Sequence, residues 1–236
     1  VVDYRTYQIS QMANVDLYLE SLMTPETLND FGADHIALAT GAKWKKDGIG
    51  RHNPLGIDIT VGAKVLSPDD IMAGIELKGP VVVFDDDHFY MGGAISEKLR
   101  RDGCEVTLVT PAAEVSSWTH NTLDQHAVQK QLMELGVRIV TTHNLTVIRS
   151  NAVDLSCVYT GISKTLDCAA TVLVTMRQPV DDLWQAYPDL IRIGDVLSPS
   201  TIAAAVYSGH LFARELGDSN VGNVPFRREL INLSLP

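Results

Sequence analysis

The sequence predicts an α/β fold of two domains built on parallel sheets, one inserted in the other. Three observations carry this expectation. Apolar strand-like runs alternate with helix-like segments along the chain. A compact β-α-β pattern begins at Pro80, and the pattern of the first stretch returns after Cys168. Residues 1–78 and 165–236 are therefore expected to form one split domain, with residues 79–164 as the insert.

The first piece reads as a helix over residues 4–12, a strand over 15–19 and a short helix from Pro25. HIALATG, residues 35–41, is an apolar strand stopped by glycine, and the polar, glycine-rich stretch 43–53 is a loop. In LSPDDIM, Ser67 caps a helix with Pro68 at its first position and acids in its first turn. The insert reads as a strand at 81–84, a helix at 94–102 and a strand at 105–109. A helix at 122–135 and a strand at 138–141 follow. Residues 145–168 turn to short β-rich pieces, a hairpin or meander. Strands at 171–175 and 190–193 and a long helix at 200–216 complete the pattern.

Composition narrows the function. Apolar residues make up 45% and charged residues 20% of the 236, the balance of a soluble globular chain. A formal charge of −10, with basic residues only in short pairs such as Lys45-Lys46 and Arg227-Arg228, opposes binding to a phosphate backbone. No apolar run approaches the roughly 18 residues of a membrane span, and no signal pattern stands at Val1, so the expected location is the cytoplasm. The chain opens without Met, inside what reads as an amphipathic helix, and is read as a fragment. Cys104, Cys157 and Cys168 are too scattered for a disulfide framework or a cluster spacing and read as buried thiols.

The most informative stretch is VVVFDDDHFYMGG, residues 81–93. A buried strand running into a helix is where a dinucleotide fingerprint, G-x-G-x-x-G, would bring the main chain against a pyrophosphate. Here the three glycine slots hold Asp85, Asp87 and Tyr90. The carboxylates oppose the phosphate charge and the Tyr ring fills its space. The next strand ends in Thr110, so the acidic ribose-binding residue is missing too. The unit is expected to be Rossmann-shaped without its nucleotide. Two further stretches point to a nucleotide in the split domain: Ala39-Thr40-Gly41 at the end of one strand, and Gly194-Asp195 at the end of another, just before the long helix.

With DYRTYQI, FGADHIALATGAKWKKDG, DHFYMGGAISEKL, the IGD strand, SGHLFARE and VPFRREL, the whole chain resembles the C-terminal half of the trimethylamine dehydrogenase and NADH:flavin oxidoreductase family, which includes dimethylamine and histamine dehydrogenases. The resemblance implies glutathione-reductase-like FAD and NAD(P) domains. It implies a preceding TIM barrel carrying FMN and a 4Fe-4S cluster, absent from this chain. It also implies ADP or FAD held in the split domain through Gly194, Asp195, Ala39, Thr40 and Gly41. The first fingerprint would precede Val1, so the chain by itself is expected to bind ADP weakly or not at all. No residue of this chain is expected to make or break substrate bonds. The reaction implied is oxidation of a small, methylated amine, with electrons passing to an electron-transferring flavoprotein and the full-length protein a homo-oligomer. The alternatives are an NAD(P)H-dependent enoate or dienoyl reductase, which the missing glycines oppose, and a non-catalytic structural module.

Other residues have plain readings. The run Asp85-Asp86-Asp87-His88 reads as a solvated or helix-capping turn and not a metal site, because no second ligand group stands at a suitable spacing. His120, His126 and His210 read as surface or packed histidines. Gly194-Asp195 has its own plain alternative, an Asp capping the next helix. Trp118, an indole in a polar stretch, reads either as partly buried against the insert or as part of a docking surface for the protein electron carrier.

Overall fold

The computed structural model describes residues 2–217; VPFRREL lies outside the described residues. Helix α1 (Val2–Ser10) buries no residue, and α2 (Pro25–Phe31) starts at a Thr24 capping box and stops at Gly32. Residues 15–19, expected as a strand, form none: they are exposed and pair with nothing among the described residues. Four short strands follow, β1 (Ala37–Leu38), β2 (Ala42–Trp44), β3 (Asp58–Ile59) and β4 (Val65–Leu66). Helix α3 (Pro68–Met72) begins as the sequence dictates, with Ser67 and Asp70 capping one another's backbone N–H.

Strand β5 (Pro80–Asp85), helix α4 (Met91–Arg101) and strand β6 (Glu105–Val109) make the expected β-α-β unit, followed by α5 (Gln125–Glu134) and β7 (Arg138–Val140). Strands β8 (His143–Ile148), β9 (Ala152–Cys157) and β10 (Ser163–Asp167) form an antiparallel meander with a bulge between Leu145 and Val147. The chain then runs through β11 (Ala170–Val174), β12 (Arg177–Pro179), α6 (Asp182–Ala186), β13 (Ile191–Arg192) and α7 (Ile202–Glu215).

The main sheet is wholly parallel, in the order β4-β11-β5-β6-β7. Its centre is covered on both faces, which is why β5 and β11 are continuous apolar runs and not alternating ones. Val81 and Val83 belong to a cluster with Ile95, Leu99 and Leu132 on the helix side. Val82 and Phe84 point the other way, into Leu145, Ile148, Val153 and Leu155 of the meander. Each such side chain contributes roughly 1.5–3 kcal/mol by leaving water.

The residue 171–175 strand was expected within the 165–236 piece. It pairs on one side with β5 and on the other with β4 from the first piece. A separate parallel pair, β1 with β13, matches Ala37 to Ile191 and Leu38 to Arg192. The antiparallel pair β2 with β12 matches Trp44 to Arg177. Residues from the beginning and end of the chain thus meet in two small ribbons beside the main sheet. Among the described residues, no helix is long and apolar enough to cross a membrane.

Candidate functional site

The turn after β5 is closed from within. Asp85 is fully buried, and its Oδ1 accepts the backbone N–H of Asp87 at 3.2 Å and of His88 at 3.0 Å. These are the N–H groups at the head of the turn, where a fingerprint would offer donors to a phosphate. Burial, the largest influence, pushes the Asp85 carboxyl up to about 7 against the pull of the His88 N–H. The acidic turn is therefore not solvated: Asp86 is fully buried as well, and Asp87 and His88 are nearly so. An anionic pyrophosphate does not fit a turn whose donors already hold a carboxylate. Tyr90, in the last glycine slot, reaches out to bond Asp124 Oδ2 at 2.5 Å and Thr122 Oγ1 at 2.6 Å, tying the turn to the start of α5.

His88 takes a left-handed backbone, φ +66, uncommon for a residue with a side chain. The Asp85 carboxylate on its N–H holds it there, and its ring turns toward Asp86, with Nε2 3.5 Å from Asp86 Oδ1. A third group comes from the glycine-rich loop. His52 Nδ1 lies 2.7 Å from the same Asp86 oxygen, while the His52 backbone N–H donates to Asp86 Oδ2 at 2.9 Å. The loop can come this close because Gly50 carries no Cβ, which would fall 2.4 Å from Asp86 Oδ2. Burial alone would raise Asp86, but hydrogen bonds from His88, the His52 N–H and the His52 ring hold it below the usual carboxylate range. The fold adds a neighbour that the spacing of the acidic run does not show: His52, Asp86 and His88 each offer a ligand-type atom within 4.8 Å of the others.

The residues expected to hold a nucleotide also come together. Because β1 and β13 run parallel, Ala39-Thr40-Gly41 and Gly194-Asp195 leave the ribbon at the same edge. Gly41 and Gly194 both take positive φ, and the Thr40 hydroxyl donates to the Val180 carbonyl. Asp195 is shared. Its Oδ2 takes Arg177 Nη1 at 3.0 Å and its Oδ1 accepts the Ser200 N–H at 3.1 Å, just ahead of the Thr201 cap of α7. Asp195 thus braces the approach to α7, and each carboxylate oxygen keeps a lone-pair position for a ligand hydroxyl. Gly41, Gly194 and these positions fit a nucleotide linker. Arg177 also stacks over Trp44 and, with Arg51, opposes the rise that burial imposes on Asp87. One guanidinium therefore joins the two stretches that the sequence singled out separately.

Trp118 is 43% exposed, packs edge-on against Phe89 and carries Arg51 over its ring at 4.4 Å. His120 is exposed and bonds Glu114. Cys104 and Cys168 are buried as expected, but Cys157 is only partly so.

Comparison with known proteins places this geometry. The model of the OYE-like second alpha/beta domain matches residues 66–191, the span that contains the whole main sheet except Val65. Dimethylamine dehydrogenase of Hyphomicrobium sp. (strain x) is 27% identical, over 96% of this chain and 36% of its own length. The structure of histamine dehydrogenase from Rhizobium sp. 4-9 superposes with a TM-score of 0.93 at 41% identity, over 99% of this chain and 38% of that one. The 6-hydroxypseudooxynicotine amine oxidase of Pseudomonas geniculata N1 follows at 0.84 and 38%, over 88% and 33%. The chain spans about a third of the length of these relatives. It belongs to the OYE-like second alpha/beta domain family and is homologous to the dimethylamine and histamine dehydrogenases.

Proposed function

We propose that this chain is the nucleotide-domain portion of an amine dehydrogenase that oxidises a small, methylated or related amine. The observation that carries the reading is the likeness to histamine dehydrogenase across 99% of the chain at 41% identity. In this reading the catalytic barrel, with FMN and a 4Fe-4S cluster, lies in the remainder of a longer polypeptide. The flavin and cluster supply the oxidation and the electron relay, and electrons leave to an electron-transferring flavoprotein.

The part played by this chain is structural and electrostatic. Residues 1–78 and 165–236 hold ADP or FAD at the edge made by Ala39, Thr40, Gly41, Gly194 and Asp195. The unit around β5 keeps the dinucleotide-domain shape while Asp85 occupies its own donors. That internal cap supports a dehydrogenase over an NAD(P)H-driven reductase, since the reductase needs the pyrophosphate seat that Asp85 has closed.

The test is an assay of the full-length protein. Dimethylamine, trimethylamine and histamine are offered with an artificial one-electron acceptor, and NADH and NADPH are offered anaerobically with the flavin absorbance followed. Turnover of an amine with no bleaching by either nicotinamide supports the reading. Rapid bleaching by NADH or NADPH with no amine turnover overturns it.

A further inference from the structure

We propose that His52, Asp86 and His88 form a binding site for a divalent transition-metal ion of the zinc class, built on the turn where the glycine fingerprint is absent. Two imidazole nitrogens and one carboxylate oxygen are a donor set that such ions accept, with a fourth position left to water. The spacing suits it. Metal bonds of 2.0–2.1 Å in a tetrahedron put neighbouring ligand atoms roughly 3.3 Å apart. Here His52 Nδ1 and His88 Nε2 stand 2.7 and 3.5 Å from Asp86 Oδ1, and all three atoms lie within 4.8 Å of one another. The ion would enter by displacing the proton that His52 Nδ1 shares with Asp86.

The surroundings are those of a supported ligand set. The second ring nitrogen of His88 lies 3.4 Å from Thr110 Oγ1, the kind of outer contact that orients a ligating imidazole. Asp86 is steadied through its other oxygen by the His52 N–H. The His88 backbone stays in a left-handed conformation under the Asp85 cap, an observed outlier that turns its ring onto Asp86. Thr175 is 5% exposed and its Oγ1 has no hydrogen-bond partner among the described residues. It lies beside the same spot, since a Cβ on Gly50 would fall 3.2 Å from Thr175 Cβ and 2.4 Å from Asp86 Oδ2. The His52 side chain is 41% exposed and leaves a route in from solvent.

Cobalt(II) is the probe, because a tetrahedral site gives intense visible ligand-field bands that exposed surface groups do not. The full-length protein, freed of loosely held metal with chelator, is titrated with Co²⁺ and then with Zn²⁺ as competitor. One equivalent of tetrahedral bands, displaced by Zn²⁺, is expected, together with a rise in the thermal midpoint on adding Zn²⁺. His52→Ala, which alters an exposed loop side chain, should abolish the bands while the apo protein keeps its fold. Thr110→Val should weaken binding by about tenfold or more. Absence of bands in the wild type, or bands that persist in both His52→Ala and His88→Gln, overturns the proposal and leaves a hydrogen-bonded histidine–carboxylate network.

Discussion

A Cβ on residue 92 would fall 2.4 Å from the carboxyl carbon of Asp85, so Gly92 and the Asp85 side chain divide one space between them. Gly92→Ala would gain about 1 kcal/mol in helix propensity. Against that, overpacking a fully buried carboxyl group, whose Oδ2 already has no hydrogen-bond partner among the described residues, costs about 1–3 kcal/mol. A lower urea midpoint is expected. Adding Asp85→Ala should cost less in the Gly92→Ala background than in the wild type, and strict additivity across that cycle would contradict the shared space.

Asp195 joins Arg177 to the start of α7. Asp195→Ala removes the carboxylate partner of a partly buried guanidinium, which keeps its bond to the Ser200 carbonyl, and frees the Ser200 N–H. A loss of about 1–3 kcal/mol is expected from charged hydrogen bonds of this kind. If the edge also holds the nucleotide, ADP or FAD recovered from the purified full-length variant should fall below stoichiometry, whereas Asp195→Glu would retain part of it. Full retention in Asp195→Ala would remove Asp195 from the nucleotide site.

Trp118 offers an exposed indole beneath Arg51. If this patch receives the electron carrier, Trp118→Ala should raise the KM for electron-transferring flavoprotein by roughly tenfold, the size of an interface anchor. The rate with a small artificial acceptor should not change. Equal losses with both acceptors would point to a packing role against Phe89.

Asp70 gives a pH dependence of known sign. Burial works to raise its carboxyl, but the Ser67 N–H, the Ser67 hydroxyl and Lys46 together hold it below the usual range. The folded state therefore takes up this proton less readily than the unfolded chain. Its contribution is present near neutrality and fades as pH falls below about 4. Asp70→Asn should be less stable by about 1 kcal/mol at pH 7, as expected for a damaged cap. The gap to wild type should close in acid; a gap that is constant down to pH 3 would assign the effect to packing.

Much of the architecture was legible because it follows from local chemistry. Ser67, Pro68 and Asp70 announce α3 by themselves, and the unbroken VVVF run can only be a strand covered on both sides. Residues 15–19 misled because β-branched and aromatic content marks a strand only where another strand is there to pair with it. The partners of the 171–175 strand could not be read for a related reason: its composition suits any parallel sheet, and pairing is set by topology.

The site was legible in part. That Asp85, Asp87 and Tyr90 close a phosphate seat could be read from three glycine slots, although the burial of Asp85 and Asp86 could not. His52 gave no signal. It sits in a polar loop 34 residues before Asp86, and nothing in its neighbours shows that Gly50 lets that loop fold down onto a buried carboxylate. The link between Asp195 and Asp87 was equally hidden, because Arg177 carries it from a short edge strand that has no motif of its own.

The ribbon of β1 and β13 has a consequence for how the molecule comes together. Its two strands offer only two matched positions, Ala37 with Ile191 and Leu38 with Arg192, and nearly everything else in the fold lies between them in the chain. So little hydrogen bonding cannot offset the entropy of closing so large a loop unless the intervening polypeptide has already collapsed. Assembly is thus expected to run from the middle outward. The edge that grows from the ribbon is then expected to be the last surface completed and the first lost on heating.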